Sequence, residues 1–280
     1  IIVRSSSLLE DNYGNAFSGK YESVFCISQG NPEERLQTFM DAVRTVYAST
    51  MSREALLYRA DRGLLEQDEQ MALLVQRVSG GISGELFFPL VAGVGFSFNP
   101  FAWNREIDPD AGVLRLVAGL GTRAVDRSDD DYTRIVSLSA PHLRPEAGVE
   151  ERRRYSQGRV DVLDFRQNRL AQHLFSDITP GCEPSLLELV ASRDTELERR
   201  RRESGAAHAD AWLVTFEELF NRTGFVADMK ELLAVLKTAY GCPVDVEFTA
   251  NFMEDGGCRI NLVQCRPFQI RGEGRLLARV

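Results

Sequence analysis

Four polar side chains near the C-terminal end are spaced for work on a phosphate. They are Asp245 and Glu247 in Pro243-Val244-Asp245-Val246-Glu247-Phe248-Thr249, and Gln264 and Arg266 in Ile260-Asn261-Leu262-Val263-Gln264-Cys265-Arg266-Pro267. The first segment alternates at the period of a strand. Val244, Val246 and Phe248 go to one face, and Asp245, Glu247 and Thr249 to the other. Glu254-Asp255-Gly256-Gly257 supplies turn residues, so an antiparallel hairpin is expected. Gln264 and Arg266 then share a face, and Pro267 is expected to end the pairing. Carboxylate and carboxamide oxygens suit Mg²⁺, which usually completes its shell with phosphate oxygens. Arginine is the planar fork that meets a phosphate. The same alternation also describes a solvated acidic strand beside an edge strand.

The elements that must position these residues are legible along the chain. Ile1-Ile2-Val3-Arg4-Ser5-Ser6-Ser7 is a strand running into an arginine and a serine cluster. Glu10-Asp11-Asn12-Tyr13-Gly14 and Phe17-Ser18-Gly19-Lys20-Tyr21-Glu22-Ser23 follow it. An arginine at a strand end followed by small hydroxyl residues and glycines makes a phosphate cradle. A polar turn with serines capping local backbone is the alternative. Pro32 to Arg59 has helical spacing, with Ser52 as an N-cap. Met71 to Val78 is a continuous apolar run, read as a central strand, and carries Gln76. Val113 to Ala118 is a strand leading into Gly119-Leu120-Gly121-Thr122-Arg123, where a lone G-x-G says little by itself. Tyr132–Leu138 and Val160–Phe165 are further strands, and 141–157 reads as a loop or insertion. Glu183 to Arg202 reads as one surface helix ending in four arginines, which the dipole favours. Phe216 to Tyr240 gives one or two helices, stopped by Gly241 and packed behind the hairpin.

A chain of 280 residues makes one large domain or two small ones. Its net charge of −8 argues against a dedicated nucleic-acid binder and against an anionic membrane surface. No apolar run approaches the ~20 residues needed to span a bilayer. The five cysteines are scattered, with no C-x-x-C, which fits reduced thiols in a cytoplasm. The chain starts at Ile1, inside a strand and without an initiator Met, and is read as part of something longer.

Both ends carry the wording of one family. "PVDVEFT … INLVQCRP" resembles the closing hairpin of the ATP-grasp domain in the pyruvate phosphate dikinase and phosphoenolpyruvate synthase family, whose form is D-x-E-[WF] followed by a strand ending Q-x-R-P. "VRSSSLLEDNYGNAFSGKYES" resembles its V-R-S-S-x-x-x-E-D … F-A-G signature. Met71–Val78 and Gly93–Pro100 are similar to the strands that line the adenine end of its cleft. The resemblance covers most of the chain, clearest in 1–127 and 240–267. It implies an α/β (α+β) ATP-grasp-type domain over 1–270, with mixed and antiparallel sheets, flanking helices and an N-terminal lobe lying upstream of this chain. Residues 141–212 would be a variable insertion and 271–280 a tail or linker.

The resemblance also implies roles. Arg4 and Arg266 would meet ATP phosphates, Glu247 and Gln264 would hold Mg²⁺, and Asp245 would support the metal or orient the transferring group. Gln76 would sit near the base. Thr122 stands where the family has the acid of G-L-G-E, which puts the ribose and phosphate contacts there in question, and Arg123 is a candidate to reach phosphate instead. The expected chemistry passes a pyrophosphoryl group from Mg-ATP to a histidine on a swivelling partner domain, and later a phosphoryl group to pyruvate. His142, His173 and His208 lack the Thr-x-His context of that carrier. Partners are then ATP and the carrier and acceptor-binding domains of a longer protein, and this chain alone is expected to be inactive. Two alternatives stay open: a dikinase with a glucan or small-molecule acceptor, and a non-catalytic nucleotide sensor.

Overall fold

The computed structural model describes residues 1–7, 9, 19–125, 131–146, 148–205, 210–253 and 257–268. The hairpin turn at 254–256, most of the acidic and glycine segment at 10–18, His208 and the tail at 271–280 lie outside them.

The chain opens with β1 (Ile2–Ser7) and β2 (Ser23–Phe25), then α1 (Pro32–Ser49), α2 (Arg53–Asp61) and β3 (Met71–Gln76). Asn31 and Glu34 start α1 with a reciprocal capping box, and Pro32 occupies its first turn. Ser52 caps α2, accepting from the Ala55 N–H at 3.1 Å. The three strands form a sheet in the order β2-β1-β3, and α1 covers one face through Val3, Cys26, Ala42 and Val46. The apolar run Met71–Val78, expected as a central strand, is an edge strand here. Its outward residues Ala72 and Leu74 are exposed, and Leu74 lines a cavity described below.

β4 (Gly81–Ser83), β5 (Leu86–Phe88), β6 (Val91–Phe96) and β7 (Val113–Val117) follow, then α3 (Thr122–Val125), β8 (Arg134–Ser137) and α4 (Val149–Arg154). After these come β9 (Arg159–Asp164), β10 (Arg169–Leu174), α5 (Phe175–Ile178), α6 (Pro184–Val190), β11 (Ala191–Arg193), α7 (Thr195–Glu203) and β12 (Trp212–Val214). The chain closes with α8 (Glu217–Arg222), α9 (Phe225–Tyr240), β13 (Val244–Phe252) and β14 (Cys258–Pro267). A five-stranded sheet runs β14-β13-β6-β7-β8, a four-stranded one β10-β9-β5-β4, and β11 pairs with β12. Every pairing among the described strands is antiparallel, in an α+β arrangement.

The main core lies behind the five-stranded sheet. Val244, Val246, Phe248 and Ala250 of β13 meet Leu114 and Leu116 of β7 and Phe225, Met229 and Leu233 of α9. Gly93 is needed here. A Cβ on it would sit 2.3 Å from the Arg115 carbonyl oxygen and 3.0 Å from the Phe248 ring, so only a bare backbone lets the ring lie on β6. The stretch 141–212, expected as an insertion, contributes Val160, Phe175, Ile178 and Leu187 to this same core.

The single helix expected over Glu183–Arg202 is split. Ala191, Ser192 and Arg193 turn outward to pair with β12, and Asp194 restarts the helix as the N-cap of α7. Asp194 accepts from the Leu197 N–H at 3.0 Å, and Arg153 grips both its oxygens at 2.5 and 2.7 Å. The Arg153 bonds, outweighing burial, hold the Asp194 carboxyl below its usual range. Asp194→Asn keeps an N-cap of equal rank but loses the charge that Arg153 grips, and is expected to cost about 1.5–3 kcal/mol at neutral pH. A depressed folded-state pKa gives stability that is present above the unfolded value and lost as pH falls through the folded one. The gap between wild type and variant in urea melts should therefore be full at pH 7 and shrink below about pH 4. A gap that does not change with pH would contradict this account of the pair.

Candidate functional site

The acidic face expected on β13 forms as read. Val244, Val246, Phe248, Ala250 and Phe252 are buried, and the residues between them are partly exposed. Register places Arg266 opposite Asp245 and Gln264 opposite Glu247, so all four side chains share one patch of sheet. Pro267 still stands opposite Val244 in the ladder, and the strand stops there.

The pairing slips between Glu247 and Phe248: Gln264 faces Glu247 and Leu262 faces Phe248, which leaves Val263 as an extra residue on β14. The bulge re-aims the strand beside the site. It was readable in principle. Ile260 and Cys265 both pack on the core, yet they stand five positions apart, an odd step that no regular strand allows on one face. The Gln76 Nε2 donates to the bulge carbonyl of Val263 at 3.3 Å, tying the three-stranded sheet to the hairpin. The other end of that carboxamide, Gln76 Oε1, is buried without a hydrogen-bond partner, as is Thr249 Oγ1 on the acidic face. Orphan buried polar atoms are scarce in folded proteins and point to a missing water or ligand.

Arg4 reaches across from β1. Its Nη2 donates to Glu247 Oε2 and to Gln264 Oε1, both at 2.9 Å. The Arg266 Nε donates to Asp245 Oδ1 at 3.2 Å, and its Nη2 lies 3.7 Å from Glu247 Oε1. These four charged side chains are 14–21% exposed, half-sheltered but open to a ligand. Burial pushes the Asp245 carboxyl above its usual range, Arg266 pulls it back, and Glu247 adds to the rise. A cavity of about 360 Å³ flanks β14, lined by Arg4, Ser5, Ser6, Leu74, Gln264 and Arg266 among others. The structure thus gathers Arg4, Gln76, Asp245, Glu247, Gln264 and Arg266 around one hairpin.

Two expected residues are placed differently. Thr122 Oγ1 donates to Asp161 Oδ2 at 2.7 Å. The Arg123 guanidinium is taken up by Asp161 and Asp131, each at 3.0 Å. The described contacts of both residues run to these acids and not to the hairpin. A carboxylate does stand beside Thr122, supplied by β9 rather than by α3. His142 and His173 pair with Glu217 at 3.3 Å and Asp164 at 3.2 Å. Sequence reasoning passed over Arg115. Register sets it opposite Val94, itself opposite Glu247, and its guanidinium lies 5.1 Å from the Phe96 ring centroid.

The metal assignment can be tested against this geometry. Glu247 Oε2 and Gln264 Oε1 converge on a single cationic nitrogen, so the two oxygens already face one point that holds positive charge. Among the described residues there is no group of three or more His, Cys, Asp or Glu side chains around one point. The pair would supply only part of an octahedral shell, as Mg²⁺ sites completed by phosphate and water do. The residues fit Mg²⁺ on that basis.

Two guanidiniums beside hard oxygen ligands, at the meeting of two sheets, define a cleft suited to a phosphate-bearing ligand. Residues 1–277 match the model of the pyruvate phosphate dikinase AMP/ATP-binding domain, and the chain belongs to that family. It is 23% identical over 269 residues to a phosphoenolpyruvate synthase of Aeropyrum pernix, covering 95% of this chain and 28% of that protein. It is 25% identical over 268 residues to a Bacillus subtilis protein named uncharacterized phosphotransferase YvkC, covering 95% and 24%. The chain therefore spans about a quarter of the length of these relatives. Among the described residues no helix is long and apolar enough to cross a membrane.

Proposed function

We propose that this domain binds Mg-ATP in an ATP-grasp-type cleft and presents its phosphates to a histidine of a swivelling partner domain, as the first half of a dikinase reaction. The observation behind the reading is the convergence of Arg4, Glu247, Gln264, Asp245 and Arg266 on one bulged hairpin. Gln76 Oε1, buried and unpartnered, is the acceptor for the exocyclic amine of adenine. Glu247 and Gln264 hold Mg²⁺, which neutralises phosphate charge when bound. Arg4 and Arg266 stabilise the negative charge that builds on the transferring group. Asp245 fixes the Arg266 fork. Phosphoryl transfer of this kind is mostly positioning and electrostatics, so the attacking group comes from elsewhere.

Thr122 and Arg123 support a second reading. Thr122 stands in the place of the family acid, and the carboxylate beside it, Asp161, is already engaged by Thr122 and Arg123, which favours a nucleotide sensor that binds without transfer. The test is a thermal melt of the natural full-length protein with Mg²⁺ alone, with ATP in EDTA and with Mg-ATP. Mg-ATP at ~100 times its dissociation constant should stabilise by about 2.7 kcal/mol. No shift at millimolar Mg-ATP would sink both readings. A shift without nucleotide-dependent labelling of a histidine would select the sensor.

A further inference from the structure

We infer that Arg4 makes the site select the metal–nucleotide complex over either component, because it occupies the metal ligands until phosphate draws it away. The inference rests on the proposed Mg-ATP site and goes beyond it. The Arg4 Nη2 is shared between Glu247 Oε2 and Gln264 Oε1 at 2.9 Å each, the two oxygens assigned to the metal. The same guanidinium lines the cavity with Ser5, Ser6 and Arg266. Both hydrogens of that Nη2 are taken up by Glu247 and Gln264, so this nitrogen cannot also donate to phosphate. While it donates to Glu247 and Gln264, a divalent cation meets a like charge and two engaged oxygens. While it donates to phosphate, those oxygens are released as the negative charge of the nucleotide arrives.

Metal and nucleotide then favour each other's binding through one side chain, and such coupling is reciprocal by linkage. Arg4 belongs to β1 in the three-stranded sheet, whereas Glu247 and Gln264 belong to the five-stranded sheet. The exchange also trades a direct contact between the two sheets for one through the ligand. Arg266 is not equivalent. Its Nε donates to Asp245 at 3.2 Å, and its Nη2 approaches Glu247 only to 3.7 Å.

The signs of two variants separate this from a purely structural ion pair. Arg4→Gln removes the competing cation, so Mn²⁺ alone, followed by electron paramagnetic resonance, should bind about fivefold tighter or better, while Mn-ATP binds more weakly. Glu247→Gln loosens the Arg4 contact, so ATP in EDTA should bind at least as tightly as to wild type, while Mg-ATP binds more weakly. An Arg4→Gln protein that takes up Mn²⁺ no better than wild type overturns the inference, as does Mn²⁺ binding by neither protein. If Arg4→Gln does not fold, loss of affinity for metal-free ATP in Glu247→Gln overturns it by itself. The Mn²⁺ arm contains no nucleotide, so it fails or succeeds independently of the Mg-ATP reading.

Discussion

Phe248→Ala is expected to destabilise the chain by about 3–5 kcal/mol, the usual cost of emptying a buried phenylalanine site. Phe248 is 1% exposed, with its ring 6.0 Å from that of Phe225 on α9 and against the bare backbone of Gly93 on β6. Little can move in to fill the space. The near side is a strand whose ladder is fixed on both edges, by β14 and by β6. The far side is α9, held through Met229 and Leu233 as well. A side chain one residue from Glu247 thus anchors the face opposite the site. Urea melts of wild type and variant would measure the cost, and a difference under about 1 kcal/mol would mean that the core collapses around the gap. Because the next residue carries the proposed metal ligand, weaker Mg-ATP binding should accompany the loss.

That coupling explains why the hairpin could be read from sequence and much of the middle could not. "PVDVEFT" is a strand with one face in a core and one in a cleft, and such a strand writes its alternation plainly. That Gln264 and Arg266 share a face followed from the period of two, whereas their register opposite Glu247 and Asp245 did not, because the Val263 bulge shifts it by one residue and its trace is a break in parity. The helix boundaries at Ser52 and Gly241 were equally local, because a cap is a property of a few neighbouring residues. Met71–Val78 misled because an apolar run looks the same at the centre of a sheet and at an edge beside a cleft. Glu183–Arg202 misled because its break depends on Trp212–Val214, a partner that helical periodicity cannot see. The partners of Thr122 and Arg123 were hidden for a related reason. Asp161 lies on β9 and Asp131 in the connection before β8, and no spacing rule reaches to either. The contact that matters most, Arg4 to Glu247, spans 243 residues and was approached only through the resemblance of both ends to one family.

Glu247→Ala is expected to abolish Mg²⁺-dependent nucleotide binding, raising the dissociation constant for Mg-ATP by about 100-fold or more. Glu247 is in contact with both guanidiniums, with Oε2 at 2.9 Å from Arg4 and Oε1 at 3.7 Å from Arg266. In the Mg-ATP complex the proposed partner of Glu247 is the metal, and truncating one partner of a sheltered charge pair costs about 2–5 kcal/mol, of which about 2.8 kcal/mol is already 100-fold. The alanine also leaves Gln264 as a lone neutral ligand, too weak to strip water from Mg²⁺. Glu247→Gln keeps the shape and an oxygen for Arg4 but loses the charge, so its deficit should be smaller than that of the alanine and confined to metal-containing conditions. Calorimetric titrations with Mg-ATP and with ATP in EDTA would separate the two. Equal affinity of wild type and Glu247→Ala for Mg-ATP would remove the metal from this hairpin, and with it the assignment of Gln264. A loss of equal size with and without metal would instead mean that Glu247 serves only to hold Arg4, leaving phosphate recognition to the arginines alone.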